Sequence, residues 1–130
     1  GSKSTQLASV EVSPHHTVSR TTNNGILTHT NHICDESLKR KVNEDILPDS
    51  LERLSTMDSL LQNTKITNEA DLFSLLSNHH NHPYSICRHE CNDDTVPYNK
   101  RMETVFSIVM NLTKNELTWI KGKPCEVLAK

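Results

Sequence analysis

Gly25-Ile26-Leu27-Thr28-His29-Thr30-Asn31-His32 changes character midway, from apolar to polar. It leaves a turn, Asn23-Asn24-Gly25, and opens with an apolar pair, Ile26-Leu27. It then turns wholly polar: two hydroxyls, two imidazoles and a carboxamide lie within Thr28–His32. A solvated loop rarely opens on Ile-Leu, and a core strand rarely closes on Thr-His-Thr-Asn-His. The expectation is a strand that leaves a core and delivers polar groups to a site at its end.

Working outward toward the amino end, Gln6–Ser13 alternates, with Ala8, Val10 and Val12 on one face. This predicts a half-buried strand with the apolar face inward. Pro14 stops it and His15-His16 fill the turn. Thr17–Thr21 is β-prone, and Asn23-Asn24-Gly25 signals a hairpin connection into Ile26–Asn31. The first thirty residues therefore read as a β-meander.

Toward the carboxyl end, Glu36–Val42 has room for a helical turn or two before Pro48. Asp49, with Glu52 three residues on, has capping-box spacing. Leu51, Leu54, Met57, Leu60 and Leu61 form one apolar helix face. Thr67 reads as a second N-cap, ahead of Ala70, Leu72, Phe73, Leu75 and Leu76. Tyr84–Arg88 reads as a short strand. Glu103–Leu112 and Glu116–Lys121 read as a hairpin turning at Thr113–Asn115, with an exit at Gly122–Pro124. Strands, then two helices, then strands predict an α+β arrangement, sheet packed on helix, with five or six strands.

The 130 residues allow a single domain, read as one segment over 1–130. Apolar residues make up 34%, below the roughly 45–50% usual for globular domains, and aromatics only 4%. The core is thin for the length, which fits a piece of something larger. Net charge is −2, and basic residues neither cluster nor interleave with aromatics, so no nucleic-acid partner is expected. No apolar run reaches the roughly 18 residues of a membrane span, so no membrane partner is expected either. Free thiols favour a cytoplasmic location, whereas the triplet Asn111-Leu112-Thr113 leans toward a secreted one.

Cys34, Cys87, Cys91 and Cys125 stand among eight histidines. His29, His32 and Cys34, then His79-His80-His82, then Cys87-x-His89-x-Cys91 are the candidate ligand clusters. Their spacing does not match the short paired repeats of zinc ribbons or fingers. The expectation is polar loop histidines and free thiols, with no metal and no cofactor. There is no Gly-x-Ser-x-Gly elbow.

Asn31 and Arg88 are the candidate site pair. The Asn31 carboxamide is a neutral donor suited to an oxyanion or an amine. The Arg88 guanidinium suits a carboxylate or a nearby thiol. Each also has a structural reading, Asn31 as a turn cap and Arg88 as an ion-pair partner.

Ser9–Pro14, Gly25–His32, Tyr84–His89, Glu103–Leu112 and Gly122–Glu126, in that order, resemble the acyl-CoA:isopenicillin-N acyltransferase family. That family includes insect β-alanyl-dopamine hydrolases and is related to bile-salt hydrolases. The resemblance implies an N-terminal-nucleophile (Ntn) hydrolase with a four-layer αββα sandwich, made as a precursor that cuts itself at a Gly-Cys bond. The released Cys is the nucleophile and its own α-amine the base. By position, Asn31 matches the asparagine that helps hold the oxyanion, and Arg88 the arginine near the thiol. None of the four cysteines follows a glycine. The expectation is a carboxy-terminal part of such an enzyme, forming a heterodimer with the segment that carries the nucleophile and acting on a small-molecule amide. The alternative is a non-catalytic interaction domain, or a metal-stabilised module using the His/Cys loops.

Overall fold

The computed structural model describes residues 7–90, 95 and 101–128, and divides into two compact units, Gly1–Leu54 and Ser55–Lys130. The element order is β1 (Ala8–Val12), β2 (Thr17–Thr21), α1 (Glu36–Lys39), α2 (Pro48–Asn63), α3 (Glu69–Leu76), β3 (Phe106–Asn111), β4 (Glu116–Lys121) and α4 (Pro124–Leu128). Among the described residues the result is a mixed α+β arrangement with two separate two-stranded antiparallel sheets. Among the described residues, no helix is long and apolar enough to cross a membrane.

In the first unit β1 and β2 form a hairpin with Glu11 opposite Val18 and Val12 opposite Thr17. Its turn is closed by Ser13 N–H to the His16 carbonyl at 2.8 Å, so Pro14-His15 sits where expected. The buried face is the reverse of the predicted one. Val10 and Val12 are exposed at 59% and 70%, while Glu11 is only 5% exposed. The reason is chemical: the segment that covers this hairpin offers N–H donors rather than apolar groups, and a carboxylate satisfies them.

That covering segment is Ile26–Asp35. Among the described residues it carries no ladder pairing, so the expected third strand of a meander is absent. The turn before it forms: Gly25 has φ of 76°, and Ile26 N–H bonds Asn24 Oδ1 at 3.1 Å. Beyond Leu27 the backbone N–H groups of Asn31, Ile33, Cys34 and Asp35 bond side-chain oxygens of Ser50, Glu44 and Glu11, so hydroxyl and carboxylate groups replace the backbone ladder. Asp35 N-caps α1, accepting from Ser37 and Leu38 N–H, and α1 buries Leu38 completely.

α2 begins one residue earlier than the predicted cap. Pro48 occupies the first helical position, where its missing N–H costs nothing. Asp49 therefore lies inside the first turn, where it pairs with Arg53 at 3.1 Å. At α3 the cap is Asn68 rather than Thr67. Asn68 and Asp71 form a full capping box, and Asp71 also accepts from the Thr67 N–H at 2.7 Å.

In the second unit α3 packs on β3 and α4, burying Phe73 and Leu75. The β3–β4 hairpin forms in the expected place, with Ser107 opposite Ile120 and Ile108 opposite Trp119. Only the face bearing Ser107 and Ile120 is covered. Phe106, Ile108, Met110, Leu117 and Trp119 share the other face and are 38–60% exposed. Tyr84–Arg88 is a run of bends rather than a strand, though Thr104 N–H does reach the Arg88 carbonyl at 3.0 Å. Pro124, the expected exit residue, instead starts α4.

Candidate functional site

Two polar constellations stand out, one in each unit. In the first, the stretch after Gly25 is pinned at both flanks. On one flank Glu11 accepts from Cys34 N–H at 2.7 Å, from Asp35 N–H at 2.8 Å and from His29 Nε2 at 2.8 Å. Burial pushes the Glu11 carboxyl up, but the two backbone N–H groups and His29 outweigh it, and the net shift is downward. Glu11 is thus an ionised, buried clamp on the loop.

On the other flank lies the amino end of α2. Ser50 Oγ accepts from Asn31 N–H at 2.8 Å and sits 2.8 Å from His32 Nδ1. Thr30 Oγ1 donates to the Ser50 carbonyl at 2.9 Å. Ser50 is fully buried and His32 nearly so. Burial first, and then the Lys39 ammonium, depress the His32 pKa, so the imidazole is held neutral. A serine beside a histidine invites a nucleophile reading, but the complete burial of Ser50 makes this pair a fastener.

Asn31 sits between these flanks and is exposed. Its Oδ1 accepts from Arg53 Nη2 at 2.6 Å, and the same Nη2 reaches Asp49 Oδ2 at 3.1 Å. The carbonyl end of the carboxamide is committed to a guanidinium. The two N–H groups are the end available to a ligand, which is the polarity an oxyanion requires. Cys34 lies 3.9 Å from His32 Nε2, but burial pushes its thiol up, so it is no activated nucleophile.

In the second unit Arg88 is buried, with its N–H on Thr104 Oγ1 at 2.9 Å and its Nε facing the Ser85 carbonyl at 3.4 Å. Beside it the Cys87 thiol is fully buried and its pKa is pushed to about 11, by burial first and by Cys125 second. Cys87 Sγ lies 3.5 Å from Cys125 Sγ. His89 Nε2 lies 3.2 Å from Cys125 Sγ and 3.0 Å from His79 Nε2. The sequence grouping Cys87-His89-Cys91 is thus replaced by one that recruits His79 and Cys125. Cys91 lies outside the described residues.

Sequence reasoning singled out Asn31 and Arg88 and missed Glu11, Ser50, Arg53 and Cys125. Strand alternation put Glu11 on the outer face, and only its place between two exposed valines marks it in retrospect. Ser50 and Arg53 follow a helix start misplaced by two residues. Cys125 is 36 residues from its partner His89, beyond any local spacing rule.

The family model described as acyl-coenzyme A:6-aminopenicillanic acid acyl-transferase matches residues 2–126. The match takes in both hairpins, all the loops just described and the start of α4. It agrees with the resemblance carried by Gly25–His32 and Tyr84–His89. On that match, spanning nearly the whole sequence, the chain belongs to the acyl-coenzyme A:6-aminopenicillanic acid acyl-transferase family.

Proposed function

We propose that this chain is the carboxy-terminal part of a cysteine Ntn enzyme that breaks or forms small amide C–N bonds. The observation that carries the reading is the family match over residues 2–126. The nucleophile is a Cys freed at the amino end of a companion segment of the same precursor. Its thiolate attacks the amide carbonyl and the amine departs with a proton. The resulting thioester then passes its acyl group to water or to a second amine. Asn31 donates through its carboxamide N–H groups to the oxyanion of the tetrahedral intermediate, with Arg53 orienting it. Arg88 supplies positive charge near the thiol. No cofactor takes part.

Two features support the division of labour. Cys34 and Cys87 both have pKa values raised by burial and are held as thiols, as cysteines outside the reaction would be. Two hairpins also keep apolar faces uncovered, Val10 and Val12 in one and Phe106, Ile108, Met110, Leu117 and Trp119 in the other. Sheets built for the middle of a four-layer sandwich need a second sheet on such faces, and the companion segment is the partner proposed for them.

The test is substitution in the assembled protein. Asn31→Ala and Arg88→Ala should each depress amide turnover with assembly intact. Full turnover in both variants would remove these residues from the mechanism.

A further inference from the structure

His79, Cys87, His89 and Cys125 place one ligand atom each within 4.8 Å of all the others. Two are thiol sulfurs and two are imidazole Nε2 atoms. We propose that these four residues form a structural zinc site in the second unit, with Cys87 and His89 on either side of Arg88 in the sequence.

The distances carry the argument. Zinc–ligand bonds of about 2.3 Å to sulfur and about 2.0–2.1 Å to nitrogen, at tetrahedral angles, set edges of about 3.8 Å for S–S, 3.3 Å for N–N and 3.5 Å for N–S. The protein shows 3.5 Å for Cys87–Cys125, 3.0 Å for His79–His89 and 3.2 Å for His89–Cys125. These three of the six edges are within a few tenths of an ångström of a tetrahedron, and the other three are no longer than 4.8 Å. The His79 and His89 rings are tilted by 47° with centroids 5.0 Å apart, so they do not stack face to face.

The surroundings are of the right kind. His89 Nδ1 lies 3.6 Å from Glu126 Oε1. At that distance the carboxylate is a charge near Nδ1 rather than a hydrogen-bond acceptor, and its field favours a proton on Nδ1 over one on Nε2, the polarity that suits metal-bound histidines. Glu126 is steadied by Lys123 at 3.9 Å, and Lys123 pairs with Glu103 at 2.9 Å. Cys87 is fixed by its own N–H to the Asn78 carbonyl at 2.9 Å.

Two thiolates and two neutral imidazoles make a neutral complex with a divalent ion, which suits a half-buried place. Loading is balanced: one Zn²⁺ enters and two protons leave, one from each thiol. The donor set, Cys₂His₂ with four protein ligands, is that of closed structural zinc sites. The ion would tie the loop after α3 to the start of α4.

A competing use of the same atoms is a Cys125–His89–Glu126 catalytic arrangement. It leaves the convergence of Cys87 and His79 on the same point without a role, and the test separates the two.

The experiment uses the whole chain, kept reduced, with Co²⁺ as spectroscopic probe and Zn²⁺ as competitor. One Co²⁺ per chain should give the intense visible bands of a tetrahedral site together with thiolate charge transfer. Zn²⁺ should bleach both. Cys125→Ser should abolish the signal and Cys34→Ser should leave it. Glu126→Gln should weaken binding by on the order of 10-fold. Alkylation of unmutated protein gives a readout that needs no variant to fold: Zn²⁺ should protect Cys87 and Cys125 together. A six-coordinate spectrum, a signal that survives Cys125→Ser, or rapid alkylation of Cys125 in zinc-saturated protein would overturn the proposal. Because none of these readings involves turnover, failure here is distinguishable from failure of the acyl-transfer reading.

Discussion

Arg53 donates to the side-chain oxygen of Asn31 at 2.6 Å across 22 positions of sequence. One end of the carboxamide is thereby fixed by a helix, and the other end is the one the proposed mechanism uses. Asn31→Ala in the assembled enzyme should lower kcat by on the order of 10²–10³, the usual effect of removing an oxyanion donor. Arg53→Ala should lower kcat by less and leave KM nearly unchanged, because it removes orientation and not the donor. Steady-state kinetics on the two variants checks this. An Arg53→Ala enzyme indistinguishable from the parent would mean that the bond has no catalytic consequence.

Glu11 gives a stability prediction with a sign. Its folded pKa lies below the ordinary value of 4.5. Its contribution is therefore complete above pH 4.5 and is lost as pH falls through the lower folded value. Glu11→Gln should destabilise the chain at neutral pH by about 1.5–3 kcal/mol, the range for hydrogen bonds to a charged group. It should also flatten the acid limb of the stability profile. Denaturant titrations across pH measure both, and an unchanged acid limb would place the acid dependence elsewhere.

His32 acts in a higher pH window. Its folded pKa lies below 6.5, so an unfolded chain takes up a proton there before the folded one does. Stability should fall as pH drops below 6.5 and level off under the folded pKa. An imidazole titration followed by NMR should show His32 with a midpoint below 6.5. A midpoint above it would mean that the Ser50–His32 contact holds a charged ring.

Trp119 is the sole tryptophan and is 58% exposed on the uncovered face of the β3–β4 hairpin. Its emission should be red-shifted in the isolated chain and move to the blue on assembly with the companion segment. No shift on assembly would show that this face is not the one covered.

Much of the secondary structure was legible because it rests on local rules. The β3–β4 hairpin followed from alternation between Val105 and Leu112. Helix α3 followed from the spacing of Leu72, Phe73, Leu75 and Leu76, although its cap went to Asn68, whose side chain reaches the Asp71 N–H directly. The first hairpin was found and its faces inverted, because alternation assumes that the burying neighbour is apolar. Here the neighbour is a loop of N–H groups, and a carboxylate binds it better than valine. Ile26–Asn31 misled for a related reason: the turn at Gly25 and the apolar pair Ile26-Leu27 suggested a strand, while Thr30, Asn31 and His32 found partners on α2. Asn31 and Arg88 were reached through pattern and resemblance. The His79/Cys125 convergence was not, since no local spacing connects the loop after α3 with the start of α4.

The decisive comparison sets residues 1–130 alone against the same chain co-expressed with the proposed companion segment bearing the amino-terminal Cys. The assay is release of p-nitroaniline from short acyl and β-alanyl p-nitroanilides. The chain alone should show no turnover, the assembled protein should turn over, and Asn31→Ala should lose that turnover. Amide hydrolysis by the isolated chain, or undiminished turnover by assembled Asn31→Ala, would contradict the proposed function.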